Sequence, residues 1–483
     1  MQALKTYVQA ARKVEKEYRR HPLNIEGQIP EGLEGTLFRN GNGRFEHQGV
    51  KYNHLFDGDG MITKFRFQDG NIHYTNRYVY TREFVAENKA GRMLYRSFGT
   101  NLPGGWRRNL LKMRFKNAAN TSLVWHGSKL LALWEGGLPH EMDPLSLETL
   151  GRYDYGGVLK NDFSPVDKWI NPELPFSAHP KVHPDTGVLH NFGTAAGTKQ
   201  RLVLYEVQPD GQAAISQIIP LEEVTFTHDF VLTHRGRKIF FLTPVAFDLF
   251  RAFSGLESPV ASMRIDRSKK TTILVIDENR QVQRLETDFC FVFHFANGYD
   301  LENDKVIVDG YIMDDFPSAE SVKAFVEGEP TEGPMPILTR FELDLRKGKV
   351  QRTILSDHPG ELPGLPPARE GLPYRYIWSI AAPPETKVAI LHGLAKVDTQ
   401  EKTTRYKDFA PHLPGEPVFV PKPGAQAEDD GWLLMLLFDS EVMRTKLLIL
   451  EASDLSELAS AELPHNIPLG FHGFWTSDPR LKG

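Results

Sequence analysis

Residues 57–80 read DGDGMITKFRFQDGNIHYTNRYVY. Two runs rich in Ile, Phe, Tyr and Thr flank Asp69-Gly70, a pair that favours the tight turn of a hairpin. The same pattern returns along the chain: KLLALWEGG, RLVLYEVQPDGQ, KVIVDGYIMDD, TRFELDLRKGKVQRTIL with its Lys-Gly pair, and DDGWLLMLLFDSEV. Helical periodicity is nearly confined to the N-terminus, where residues 1–20 are expected as a short charged helix. The fold class is therefore all-β. A sandwich of 483 residues would be unusual. A β-propeller of four-stranded blades accommodates both the length and the strand edges, and about seven blades would take about 70 residues each. No internal repeat fixes that count. The chain is expected to form one unit, 1–483, with no linker long enough to mark a second domain.

Composition narrows the function classes. The formal net charge of −5 offers nothing to a nucleic-acid polyanion. The single cysteine, Cys290, excludes an internal disulfide and a Cys-rich metal site. The N-terminus lacks the apolar core of a signal peptide, and no run of about 18 apolar residues exists to span a bilayer. A cytoplasmic protein is expected. Two segments read as insertions. Residues 241–263, FLTPVAFDLFRAFSGLESPVASM, bring Phe247, Leu249, Phe250, Phe253 and Leu256 close together and could form a patch docking peripherally on a membrane. Residues 358–373, HPGELPGLPPAREGLP, read as a Pro/Gly-rich loop.

The stretch TFTHDFVLT, 225–233, reads with period two as a strand whose more apolar face holds Phe226, His228, Phe230 and Leu232. A lone histidine in a strand is more often ordinary core or surface. Four of the 17 histidines, however, share aromatic or small neighbours with few adjacent charges: His179, His228, His294 and His472. A buried imidazole costs free energy unless its nitrogens are paired or ligated. The spacings of 49, 66 and 178 residues exclude one helix or hairpin. Strands of different propeller blades meet at the axis, where four imidazoles would make a site for a divalent first-row metal. Metal-bound histidines need acceptors on their other nitrogen. Glu135 in LALWEGG, Glu342 in TRFELDL and Glu416 in PGEPVFVP lie in strand-like, apolar contexts suited to that role.

Over nearly its whole length the sequence resembles the carotenoid cleavage oxygenase family, most of all its bacterial apocarotenoid-cleaving branch. The resemblance is carried by PEGLEGTLFRNGNGRF, HLFDGDGM, NTSLVWHGSKLLALWEGG, FSAHPKVHPDTG, FTHDFVLT, FHFANGYD, GEPVFVPKPGAQAEDDGWLL and LPHNIPLGFHGFW. It implies a seven-bladed propeller, with a dome of loops over an axial non-haem iron(II), one per chain, bound by His179, His228, His294 and His472. Glu135, Glu342 and Glu416 would hold His228, His294 and His472 respectively, leaving His179 without a carboxylate. It implies cleavage of a conjugated C=C bond of an apolar polyene by O₂ into two carbonyl products, with 15,15′ cleavage of apocarotenals to retinal as the specific expectation. Phe98, Thr121, Trp134 and Phe293 would line the substrate tunnel near the iron, the Thr121 methyl crowding one open coordination position. Stilbene-cleaving relatives carry a lysine where this chain has Trp134, and an indole cannot replace an ammonium beside a phenolate. A stilbene- or lignostilbene-cleaving enzyme and a non-catalytic carotenoid-binding propeller are the alternatives. The oligomeric state is left open, with a monomer expected.

Overall fold

The computed structural model describes residues 2–112, 114–222, 225–468 and 470–481. The chain is mostly β, and its named ladders run antiparallel. Six short helices are described: α1 (Gln2–Ala10), α2 (Arg82–Ala90), α3 (Trp106–Asn109), α4 (Pro165–Ile170), α5 (Leu249–Ser254) and α6 (Ala319–Val326).

The hairpin around Asp69-Gly70 forms as expected. Strands Asp59–Gln68 and Asn71–Tyr78 pair with Gln68 opposite Asn71. Asp69 and Gly70 take φ of 51° and 69°, the left-handed pair of a type I′ turn. The Lys347-Gly348 pair instead ends a longer loop, because Asp344 pairs with Lys349.

The first sheet orders His21–Pro22, Asn71–Tyr78, Asp59–Gln68, Gly35–Arg44 and Gly470–Thr476, so the last long strand closes against an early one. The second runs from Thr149–Arg152 through His140–Met142 and Lys129–Leu133 to Ser122–His126, and the third spans Lys181–Val182 to Ala213–Pro220. The fourth is built on Lys238–Phe247 and Thr271–Ile276. The fifth has seven strands from Phe291–Asp300 to Thr403–Asp408. In the sixth, Asn24–Gly27 pairs with Glu457–Glu462, a second tie between early and late chain. Separate apolar clusters fill the spaces between sheets, for example Leu37, Phe65, Trp432 and Leu447 in one and Ile239, Val275, Val308 and Phe341 in another.

Four expectations need correction. Residues 241–247 are not part of an insertion but the second half of the strand Lys238–Phe247, in which Phe241 pairs with Ile273 and Leu242 with Thr272. The N-terminal helix covers Gln2–Ala10, not 1–20 (Met1 lies outside the described residues). Beyond it the chain is extended: Val14 N–H donates to the Gly43 carbonyl and Phe45 N–H to the Arg12 carbonyl. The run KVEKEYRR has no apolar stripe to hold a helix on the core, and its backbone is met instead by Gly43 and then by the strand Asn71–Tyr78, with Tyr18 N–H donating to Asn76 Oδ1 at 2.8 Å and Arg20 N–H to Thr75 Oγ1 at 3.1 Å. The segment 225–233 is not one strand, since Thr225–Phe226 and Val231–Leu232 are separate and His228 sits in the break between them. Nor is 358–373 wholly a loop. Its first residues belong to a 16-residue strand, Lys349–Gly364, which pairs with Ile337–Asp344 along one part and with Tyr376–Ala381 along the other.

Candidate metal centre and cavity

The four histidines arrive from four sheets or their connections. His179 precedes the short strand Lys181–Val182, and His228 lies in the break just described. His294 and His472 sit within Phe291–Asp300 and Gly470–Thr476, each where the ladder register slips. Such irregularities re-aim a side chain out of the regular pleat. All four rings meet. The Nε2 atoms of His179 and His228 are 2.9 Å apart, and those of His472 and His294 are 3.1 Å apart. Ring centroids of His179 lie 5.2 Å from His294 and 4.7 Å from His472.

Carboxylates stand behind three of them. His472 Nδ1 donates to Glu416 Oε1 at 2.7 Å, and Gly473 N–H donates to Glu416 Oε2 at 2.9 Å. The buried guanidinium of Arg39 steadies this carboxylate, 3.3 Å from its Oε2 and donating to the Glu416 carbonyl at 2.9 Å. His294 Nδ1 donates to Glu361 Oε2 at 2.5 Å. Glu135 accepts from Ser177 Oγ at 3.0 Å and Ala178 N–H at 2.9 Å, with His228 Nδ1 3.7 Å away. Burial pushes the Glu135 carboxyl up to about 8 despite those bonds. A ring nitrogen of His179 also lies within 4.8 Å of the Glu135 carboxylate.

Glu342, expected behind His294, is elsewhere: its Oε1 accepts from Lys305 Nζ at 2.5 Å. The ladder around it is regular from Thr339 to Asp344, with Glu342 paired to Ile307 and Gln351, and nothing there turns the side chain toward the histidines. Glu361 takes the place. It sits at a register slip in the long strand, followed by Leu362 at φ 54°, whose N–H also donates to Glu361 Oε2 at 2.8 Å. The clue in the sequence was a lone carboxylate inside HPGELPGLPP, a segment whose extension depends on a distant partner strand.

This donor set fits a divalent metal. His294 and His472 use Nδ1–H on carboxylates, so each neutral ring offers only a lone pair at Nε2. Two such lone pairs 3.1 Å apart repel unless a cation lies between them. Burial, and then the neighbouring imidazoles, hold His179 and His228 well below the ordinary histidine value and thus neutral, as ligation requires. Burial would lower His294 too, but the carboxylates of Glu361, Asp229 and Glu416 together turn the shift upward.

The centre opens into a cavity of about 2020 Å³, lined by His228, His294, His472, Thr121, Trp134, Phe98 and Phe293 among others. The four positions expected along a tunnel therefore all face it. Sequence reasoning missed Phe56, Phe316 and Phe471, which face it as well. Phe56 stacks on His228 at 6.2 Å with planes 3° apart, and packs edge-on to Phe293 at 6.1 Å and Phe471 at 5.7 Å. Trp134 lies over two glycines: a Cβ on Gly136 would come within 2.8 Å of its ring, so the WEGG sequence makes room for the indole. The Thr121 hydroxyl donates to Asn120 Oδ1 at 3.1 Å, and its carbonyl accepts from His472 N–H at 3.2 Å.

Comparison with known proteins accords with this geometry. Residues 11–477 match the family model described as RPE65, retinal pigment epithelial membrane protein. The chain is 35% identical over 464 residues to apocarotenoid-15,15′-oxygenase of Synechocystis, covering 94% of this chain and 92% of that protein. It is 28% identical to isoeugenol monooxygenase of Pseudomonas putida, with 94% of each chain covered. The crystal structure of cobalt-substituted Synechocystis apocarotenoid oxygenase superposes with a TM-score of 0.88 at 32% identity, covering 98% of both chains. The match along almost the entire length identifies this chain as a member of the RPE65 family of carotenoid cleavage oxygenases.

Proposed function

We propose that the protein is a non-haem iron(II) dioxygenase that splits a conjugated C=C bond of an apocarotenoid with O₂ into two carbonyl products, retinal-forming 15,15′ cleavage of an apocarotenal being the specific reaction. The observation that carries this reading is the convergence of four imidazoles at an aromatic cavity far larger than a small polar substrate needs. Iron(II), one per chain, would be held by His179, His228, His294 and His472, and would supply O₂ activation at a centre whose ligands bring no negative charge. Glu361 and Glu416 orient His294 and His472 and keep their protons on Nδ1, while Glu135 stands beside His228. Phe56, Phe98, Phe293, Phe471 and Trp134 exclude water from the polyene, and their faces favour positive charge developing along it. With its hydroxyl bonded to Asn120, Thr121 offers its methyl to the cavity.

The architecture supports the same reading. If the long strand Lys349–Gly364 is counted in both of the groups it joins and the two-stranded ladder of Glu46–His47 with Val50–Lys51 is left aside, the described sheets make seven strand groups, which we take as seven blades around the histidines in one unit, 1–483. The histidines and their carboxylates come from a single chain, so a monomer suffices. No described helix is long and apolar enough to cross a membrane. Peripheral contact is supported by α3, α5 and the residues just after them, where Leu111 is 71%, Phe250 76% and Leu256 55% exposed beside the cavity residues Phe115 and Phe253, with Arg107, Arg108 and Lys112 alongside (the side chains of Phe247 and Leu249 lie outside the described residues).

Iron-loaded protein supplied separately with an apocarotenal, a 4-hydroxystilbene and isoeugenol tests the reading. Loss of the polyene absorbance and two aldehydes by mass spectrometry are expected from the first alone. Cleavage of the stilbene alone would move the protein to that substrate class. Binding without turnover would make it a carrier. His294→Ala is expected to lose both iron and turnover.

A further inference from the structure

Arg96 is 1% exposed, and among the described residues no carboxylate pairs with it. Its guanidinium instead gathers backbone carbonyls. Nη1 donates to Ala252 at 2.9 Å and Lys112 at 3.4 Å, Nη2 to Glu257 at 2.8 Å, and Nε to Asn101 Oδ1 at 2.9 Å. Ala252 and Glu257 flank Gly255, the left-handed cap of α5, where the helix gathers partial negative charge. Asn101 Nδ2 adds a bond to the Gly255 carbonyl at 3.3 Å, and Leu111 N–H donates to the Phe253 carbonyl at 2.9 Å. One buried cation thus ties together both exposed apolar segments beside the cavity.

The loop that carries Arg96 reaches the metal centre on its other side. Asp57 accepts from Gly99 N–H at 3.0 Å and from Thr100 Oγ1 at 2.6 Å. Phe98 packs on His54 at 5.2 Å and on Phe56 at 6.3 Å, and Phe56 stacks on His228. The Phe98 carbonyl accepts from Val260 N–H at 3.1 Å, just past α5.

We propose that Arg96 is a positioning residue for substrate entry, fixing the α3–α5 edge of the cavity relative to Phe98 and the four histidines. This rests on the reading that the cavity admits the polyene. Arg96→Met is expected to raise KM for an apocarotenal on the order of tenfold while kcat stays within about twofold and metal content is unchanged. It is also expected to speed chymotryptic nicking at Phe250 and Phe253. Arg96→Lys keeps the charge but lacks the planar fork, so its KM falls between those of wild type and Arg96→Met. Asn101→Ala, which removes the Nε partner and the Gly255 tie, shifts both readouts the same way and carries the test if Arg96→Met does not fold. Unchanged KM and unchanged nicking, or a fall in kcat with KM constant, overturns the proposal. If the wild type cleaves no polyene, the reading of the function is what fails, and the nicking rates still judge Arg96.

Discussion

His294 and His472 are informative because of what occupies their second nitrogen. Each donates from Nδ1 to a carboxylate, which leaves Nε2 bare and facing its neighbour. Glu361→Gln removes the negative charge behind His294 and is expected to weaken metal binding by roughly 10–100-fold, read by competition with a chromophoric chelator. Glu342→Gln, which breaks only a half-exposed pair with Lys305, should leave metal affinity unchanged. A loss at Glu342 with none at Glu361 would reverse the assignment. The four histidines could be found in the sequence because their apolar neighbours made burial costly without a ligand. Glu342 misled for a related reason: alternation with Phe341 and Leu343 marks a strand but does not say which face looks toward the histidines. Glu361 was hidden because its aim comes from a register slip and a left-handed neighbour, neither of which leaves a periodic trace.

At the scale of elements, local chemistry was readable where it acts alone. Asp69-Gly70 makes its turn from backbone preference, and a Cβ at Gly70 would meet nothing within 4 Å. Gly70→Ala is therefore expected to cost about 1–2 kcal/mol through φ strain alone, measured by urea unfolding, with metal content untouched. No change in the midpoint would mean that the turn adopts another geometry. Elements that depend on distant partners were not readable. The chain beyond Ala10 is extended because it has Gly43 and Phe45 to pair with, and the Pro/Gly segment at 358 continues a strand because Tyr376–Ala381 lies beside it. The exposed face of α3 and α5 offers a test of its own: Phe250→Ser combined with Leu111→Ser should reduce cosedimentation with lipid vesicles, and equal sedimentation would remove the membrane from the account.

For the molecule as a whole, buried neutral histidines set the response to acid. Burial lowers His54 to about 3, and His140 to about 3 with Arg152 and Arg82 adding to the effect. Below the ordinary histidine value the unfolded chain takes up these protons and the folded chain does not. Stability is therefore fully present above about pH 6.5 and falls as the pH drops toward about 3, by about 1.4 kcal/mol per pH unit for each such group. Unfolding midpoints between pH 7 and 4 should show this slope. His140→Leu, which removes a ring with neither nitrogen bonded, should flatten it by one proton's worth; an identical slope in the variant would remove His140 from the account. The mostly β class was legible from strand runs and turn pairs. The way the strands divide among sheets was not, because no repeat in the sequence marks it.

The pairing of Gly470–Thr476 with Gly35–Arg44 has a consequence for biosynthesis. The fourth imidazole rides on a strand that is translated after all the other sheets, and it takes its place only by docking on one made near the start. The cluster of four imidazoles can therefore assemble only after both of these strands have been made and have paired, however early the other three rings are in place.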